Sequence, residues 1–379
     1  MRPTYIATPS EVIHTASQQR WPRQSPQDNM LAMAMRLAEP GDSIGFIGAH
    51  NGLNIGNGNK WSPNTVTRAL KPVEHLTIMG LRPNARIFGE VNFQQTPGIA
   101  APNNLTFKDF TLFCGNNQRG FLTYQNQGPF YNLNFDTITI DTTHPTKTPN
   151  KWAFRFHGPA SFNVVNCSLP FGNQEHFVYA DNVCGDSSVV GCVATRNGRT
   201  MIQIVNRGIS GPCSTGNILI EDCLAIDAGH IEGASAYTVA GHLGGTITFR
   251  NCKTVASNGG SLVIWGDPGK GPMYNATGEQ TDHVVIENCS FTAPSADRDC
   301  IMLSNATKVE MGHVEITTNK NGIRLDAVQN KPVRDFCFTV PNPSQLPINA
   351  YRKVVRGYSS STTVELTPQE IDALYKVEA

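Results

Sequence analysis

SFNVVNC (161–167), SSVVGC (187–192), NILIEDC (217–223), TITFRNC (246–252) and HVVIENC (283–289) are five versions of one phrase. Apolar residues stand five and three places before the Cys, Ser187 excepted, and a small or amide residue stands just before it. The phrase recurs without Cys as LTIMGL (76–81), LTFKDF (105–110), LNFDTI (133–138) and VEMGHV (309–314). The nine copies are separated by 29, 28, 29, 25, 31, 29, 37 and 25 residues. Alternation inside each copy predicts a strand with one buried face. The residue before the Cys position reads Gly80, Asp109, Thr137, Asn166, Gly191, Asp222, Asn251, Asn288, His313. Small residues, Asn and Asp at one repeated place predict a turn that needs an unusual backbone angle.

A second phrase lies between these copies: FLTYQN (121–126), AFRFHG (153–158), FVYADN (177–182), MIQIVN (201–206), YTVAGH (237–242), LVIWGD (262–267), CIMLSN (300–305) and GIRLDA (322–327). Each unit therefore holds at least two short strands. No stretch between them is long enough for a crossover helix. The units are too short for propeller blades and too poor in Leu for leucine-rich repeats. What remains is a parallel β-solenoid, in which each coil buries its apolar face only by stacking on the next.

These columns resemble the right-handed parallel β-helix proteins of the pectate-lyase-like superfamily. The resemblance covers roughly residues 45–340 and implies an all-β right-handed parallel β-helix of about nine or more coils. It is specific for fold. The same fold carries lyases, hydrolases, epimerases, phage tailspikes and adhesins. Residues 1–44 are expected to be an N-terminal segment with a capping helix, opened by Ser25-Pro26-Gln27-Asp28 and running through MLAMAMRLA to Pro40-Gly41. Residues 341–379 are expected to be a tail with a short helix opened by Thr367-Pro368-Gln369-Glu370.

Composition narrows the function classes. Among 379 residues, 30 Lys+Arg balance 30 Asp+Glu, which argues against nucleic-acid or anionic-membrane partners. No apolar run approaches a membrane span. The start, MRPTYIATPSEVIHTA, shows no signal-peptide core. The expectation is cytoplasmic synthesis, or secretion or virion association if the chain is trimmed or viral. The ten cysteines show no CxxC and no zinc spacing. The five in the repeat read as a buried stack of free thiols. Cys184 and Cys213, which follow the second phrase in adjacent coils, are expected to be free, with a bridge between them as the alternative.

In the second phrase, alternation turns Leu122/Tyr124, Phe154/Phe156, Val178/Ala180, Ile202/Ile204, Val263/Trp265, Ile301/Leu303 and Ile323/Leu325 inward. One outward column then reads Thr123, Arg155, Tyr179, Gln203, Thr238, Ile264, Met302, Arg324. The next reads Gln125, His157, Asp181, Val205, Ala240, Gly266, Ser304, Asp326. Ionisable members concentrate in residues 152–207. Arg155, His157, Tyr179 and Asp181 are the candidate catalytic residues. The alternative is a hydrogen-bonded surface ladder. The flanking loops supply candidate glycan contacts: Glu175 and His176, Arg199, Gln203, Asp227, His230, Glu232 and Tyr237. His144, Lys147 and Lys151 lie in a further loop. Tyr179, Tyr237, Trp265 and Tyr274 are candidate sugar platforms.

No phosphate loop, nucleophile elbow or HExxH motif is present. A polar groove flanked by aromatics suits a polysaccharide. Hydrolysis needs two carboxyls, and the sheet supplies only Asp181. Elimination on a uronate needs a cation for the carboxylate, a base for the C5 proton and a proton for the leaving oxygen. Arg155, His157 and Tyr179 meet these needs, with Asp181 orienting His157 or helping to hold Ca²⁺. The resemblance implies Ca²⁺ with an Arg or Lys base. The lyases' local motifs and the polygalacturonase pattern of paired aspartates with His-Gly are absent. The expected activity is therefore a polysaccharide lyase. The alternatives are a glycoside hydrolase, or a non-catalytic tailspike or glycan-binding spike. A homo-oligomer is possible on these grounds, a trimer in the tailspike case.

Overall fold

The computed structural model describes residues 2–56, 63–66, 73–95, 101–115, 118–124, 127–143, 151–205, 215–231, 234–264, 281–293, 299–303, 306–318, 322–327, 335–339, 351–356 and 361–365. Within them the chain is a right-handed parallel β-helix. Three ladders run its length. The first contains the repeat phrase, for example Ala160–Val165, Ser187–Val190 and Ile218–Glu221. The second contains Trp152–Phe156, His176–Asp181, Ile202–Val205 and Tyr237–Ala240. The third consists of short strands just after the repeated turn position, such as Val193–Thr195, Leu224–Ile226 and Lys253–Val255. Pairing between coils is parallel throughout these strands.

The turn column behaves as the residue types predict. Asp109, Thr137, Asn166, Gly191, Asp222, Asn251, Asn288 and His313 all sit at φ between 51° and 64°. That left-handed region suits Asn, Asp and Gly because a short polar side chain or no Cβ relieves the clash. Gly80 does not share the angle, and Leu81, expected inside, is 37% exposed. The chain there swings outward into a turn before Ala85, and Ala85 fills the interior.

Cys167, Cys192, Cys223, Cys252 and Cys289 occupy one buried column. Each thiol donates to a carbonyl of the preceding coil: Phe135, Val164, Val189, Ile220 and Phe249 respectively, at 3.3–3.7 Å. Burial raises the Cys192 thiol well above its ordinary range. Cys184 is also a free thiol. Cys213 lies outside the described residues. Nearer the N-terminus Phe121 stacks in register on Phe154 of the next coil at 5.2 Å, and Phe156 stacks across the interior on Phe162 of the following strand at 4.0 Å.

The N-terminal helix, α1, spans Met30–Leu37 and buries Met30, Leu31, Ala32, Ala34 and Met35 against the first coil. Its start differs from the expected one. Asn29 is the N-cap, its side chain accepting from the Leu31 and Ala32 amides. Ser25–Asp28 form a turn instead, because the Asp28 carboxylate accepts the Gln24 and Ser25 amides at 3.0 and 2.8 Å. The segment before α1 is part of the sheet: Tyr5–Ala7 pairs in parallel with Ser43–Phe46. At the other end, Tyr351–Arg356 still pairs in parallel with Ile323–Ala327, beyond residue 340. The expected final helix lies outside the described residues. Among the described residues no helix is long and apolar enough to cross a membrane.

Candidate functional site

The outer face of the second ladder carries the candidate residues, and a constant offset sets their positions. Trp152 pairs with His176, and Arg155 with Tyr179. Tyr179 pairs with Gln203 and Asp181 with Val205. Side chains of one column thus lie about 4.8 Å apart. His157 follows the strand and is held by Thr123 of the previous coil, whose hydroxyl accepts the His157 amide at 2.7 Å. The His157 Nε2 to Asp181 Oδ2 distance is 3.5 Å, with the side chains 12% and 2% exposed. The imidazole is the member of the pair that faces outward, and the carboxylate lies beneath it.

Two columns differ from their expected register. Phe121 and Thr123 face inward, and Leu122 sits over Arg155. Leu262 and Ile264 likewise face inward, so that Val263 joins the outward column of Thr238 and Met302. A one-residue slip inverts every side chain of a strand.

Tyr179 is directed outward but nearly covered. It packs in a small apolar cluster with Trp152, Val205 and Ala240, separate from the main core. His176 is buried, its ring 5.2 Å from that of Tyr179. Glu175 reaches both His176 Nε2 at 3.8 Å and Arg199 Nη1 at 3.4 Å. These groups, with Gln203, form one neighbourhood.

Asp227 and His230 belong to another. Asp227 lies 3.5 Å from both Arg196 Nε and His230 Nδ1, and it accepts from Asn258 Nδ2 at 2.7 Å. Arg196 Nη2 is 2.8 Å from His230 Nε2. Their contacts close on one another at the corner that leads from the third ladder. Tyr237 is not a glycan contact. It pairs with Ile202 and Leu262 at an inward position, is fully buried against Phe249 and Phe291, and donates to the Cys223 and Lys253 carbonyls at 3.1 Å. Burial raises its phenol well above the ordinary value. Glu232, His144, Lys147, Trp265 and Tyr274 lie outside the described residues.

Trp152 is the site residue that alternation does not reveal. Ala153 and Phe154 both enter the core at the strand's corner, which leaves Trp152 outside. The Arg155 guanidinium lies 4.0 Å from the Trp152 ring centre and 5.8 Å from that of Tyr179. The one sequence signal is the apolar run Trp152-Ala153-Phe154, which a two-residue period cannot bury as a whole.

Among the described residues, no group of three or more His, Cys, Asp or Glu side chains could hold a metal ion. A Ca²⁺ site needs six to eight oxygens, and Asp181 faces a histidine. Among the described residues the donor set does not fit the ion that the resemblance implies.

No family model and no curated protein matches the chain. Among solved structures, the chain is similar to the A-module of a mannuronan C-5 epimerase from Azotobacter vinelandii. The identity is 10%, the match covers 84% of this chain and 78% of that one, and the TM-score is 0.33.

Proposed function

We propose that the protein is a carbohydrate-active enzyme that cleaves a uronate-containing polysaccharide by β-elimination on the outer face of the second ladder. The observation that carries this reading is the outward His157 imidazole resting 3.5 Å from the buried Asp181 carboxylate, two residues along the chain from Arg155. Arg155 neutralises the uronate carboxylate, which acidifies the C5 proton. Neutral His157 removes that proton. Asp181 orients the imidazole and stabilises the imidazolium that forms. Electrons move from C5 to make the C4–C5 double bond, and the C4–O bond breaks. The leaving oxygen takes a proton from the Tyr179 hydroxyl or back from His157. Adjacent strands hold these groups more rigidly than loops do.

The test is a panel of acidic and neutral polysaccharides, followed by the ultraviolet absorbance of unsaturated uronate and by new reducing ends. Both signals together support elimination. Reducing ends alone indicate hydrolysis, and retention without cleavage indicates a binding spike. Arg155→Ala and His157→Ala should each lower turnover at least about a hundredfold. Their melting temperatures should stay within about 3 °C of the parent. Parental turnover in both variants would show that the floor is structural.

A further inference from the structure

Trp152 gathers more cations than Arg155. Arg119 Cζ lies 5.6 Å from the centre of its ring and Lys151 Nζ lies 5.7 Å from it. Both come from the coil edge, where the Lys151 amide donates to the Gln118 carbonyl at 3.0 Å. We propose that Arg119 and Lys151 form a second carboxylate subsite beside Arg155, so that the glycan taken is one with adjacent uronates. This rests on the reading of Arg155 as the residue that neutralises the first carboxylate.

Three positive charges around one indole repel one another. The ring face returns only about 0.5–2 kcal/mol for each cation, and it neutralises none of them. The nearby acids are committed elsewhere. Glu90 accepts the Arg119 backbone amide at 2.9 Å and an Asn92 amide proton at 3.4 Å. Glu175, one coil on from Lys151, is bound to Arg199 and His176. Among the described residues neither Arg119 nor Lys151 is paired with a carboxylate, and Arg119 Nε is buried with no hydrogen-bond partner. An anion arriving here gains two unpaired cations and relieves their repulsion. Arg119 precedes the strand Phe121–Thr123, which pairs with Trp152–Phe156 of the next coil, and the guanidinium carbons of Arg119 and Arg155 lie 5.6 and 4.0 Å from the centre of the same ring, within reach of one glycan chain. The second carboxylate therefore belongs to the neighbouring residue of the same chain.

The experiment compares polygalacturonate and alginate with their methyl-esterified counterparts, which have the same backbone without the charge. Affinity electrophoresis measures binding to the parent protein, to Arg119→Gln/Lys151→Gln and to the charge-preserving Arg119→Lys/Lys151→Arg. The parent should bind at least one acid form about tenfold more tightly than its ester, a difference of about 1.4 kcal/mol. The Gln pair should lose most of that preference, and the charge-preserving pair should keep it. Where elimination is seen, the Gln pair should raise KM and leave kcat within about threefold of the parent. A Gln pair that keeps the full preference for the acid form overturns the subsite, whether or not elimination occurs. Loss of the preference in a protein that never yields unsaturated product leaves the subsite standing and removes the lyase.

Discussion

At the scale of single residues, Tyr237 and Tyr179 show how a one-place difference in a strand separates core from site. Tyr237 lies inside, with its hydroxyl given to two carbonyls from the Cys223 and Lys253 coils. Tyr237→Phe should leave those acceptors short of a donor and cost about 1–3 kcal/mol of stability, with glycan binding unchanged. Denaturant melts and affinity electrophoresis on the same variant check both halves. A variant as stable as the parent would show that the bond is not needed. Arg155, His157, Tyr179 and Asp181 could be placed together from sequence because the offset between their coils is a constant 24 residues, as in the pairing of Trp152 with His176. Trp152 and Arg119 could not, since both precede the alternating part of their strands. Their positions depend on how the chain turns the corner, and pattern does not encode that.

At the scale of elements, the first ladder was legible and the third was not. The alternating phrase and the turn position that follows it mark the first ladder at each of its nine copies. The third begins one residue past the left-handed position, after Cys192 and Cys223, and is only three residues long at Val193–Thr195 and Leu224–Ile226, too short for a period to show. The second ladder was legible except where a polar residue faces in or an apolar run is unbroken. Thr123 is fully buried because its hydroxyl is satisfied by the His157 backbone. Leu262–Ile264 is apolar on both faces, so its phase is open until the pairing is known. The thiol column itself is testable. Cys114, Cys167, Cys192, Cys223, Cys252, Cys289 and Cys300 are buried. Burial pushes the Cys300 thiol up to about 11, and it raises Cys192 as well. Thiolate is the reactive form, so these seven groups should resist a thiol reagent in the native protein and react after denaturation. Rapid native labelling of Cys192 or Cys223, located by peptide mapping, would contradict the ladder.

At the scale of the whole molecule, a solenoid's stability is close to a sum over coils and the interfaces between them, so a group buried in one coil sets the condition under which that coil opens. His50 is such a group. It lies in the first coil, edge-on to Phe46 at 5.5 Å, with Nε2 3.2 Å from the Ile47 carbonyl. Burial lowers its pKa from the usual 6.5 to about 4. His242, bonded through Nε2 to the Gly216 carbonyl at 2.8 Å, is lowered by burial too. The unfolded chain therefore takes up these protons first as pH falls. The stability that neutral His50 permits is fully present above pH 6.5 and is lost on going down towards pH 4, by roughly 3 kcal/mol for this one group. Carboxylates act in a lower window. Glu310, whose pKa is lowered chiefly by its hydrogen bond from Lys308, gives up its contribution below its usual 4.5. The two causes can thus be separated by pH. Melting temperature against pH should already decline between 6.5 and 4.5 in the parent. His50→Gln, which cannot be protonated, should have a flatter curve over that interval and the same acid limb below it. Protection of the amides of α1 and the first coil against hydrogen exchange should fall before that of the Cys223 and Cys252 coils. Superimposable pH curves for the parent and His50→Gln would remove His50 as the group responsible.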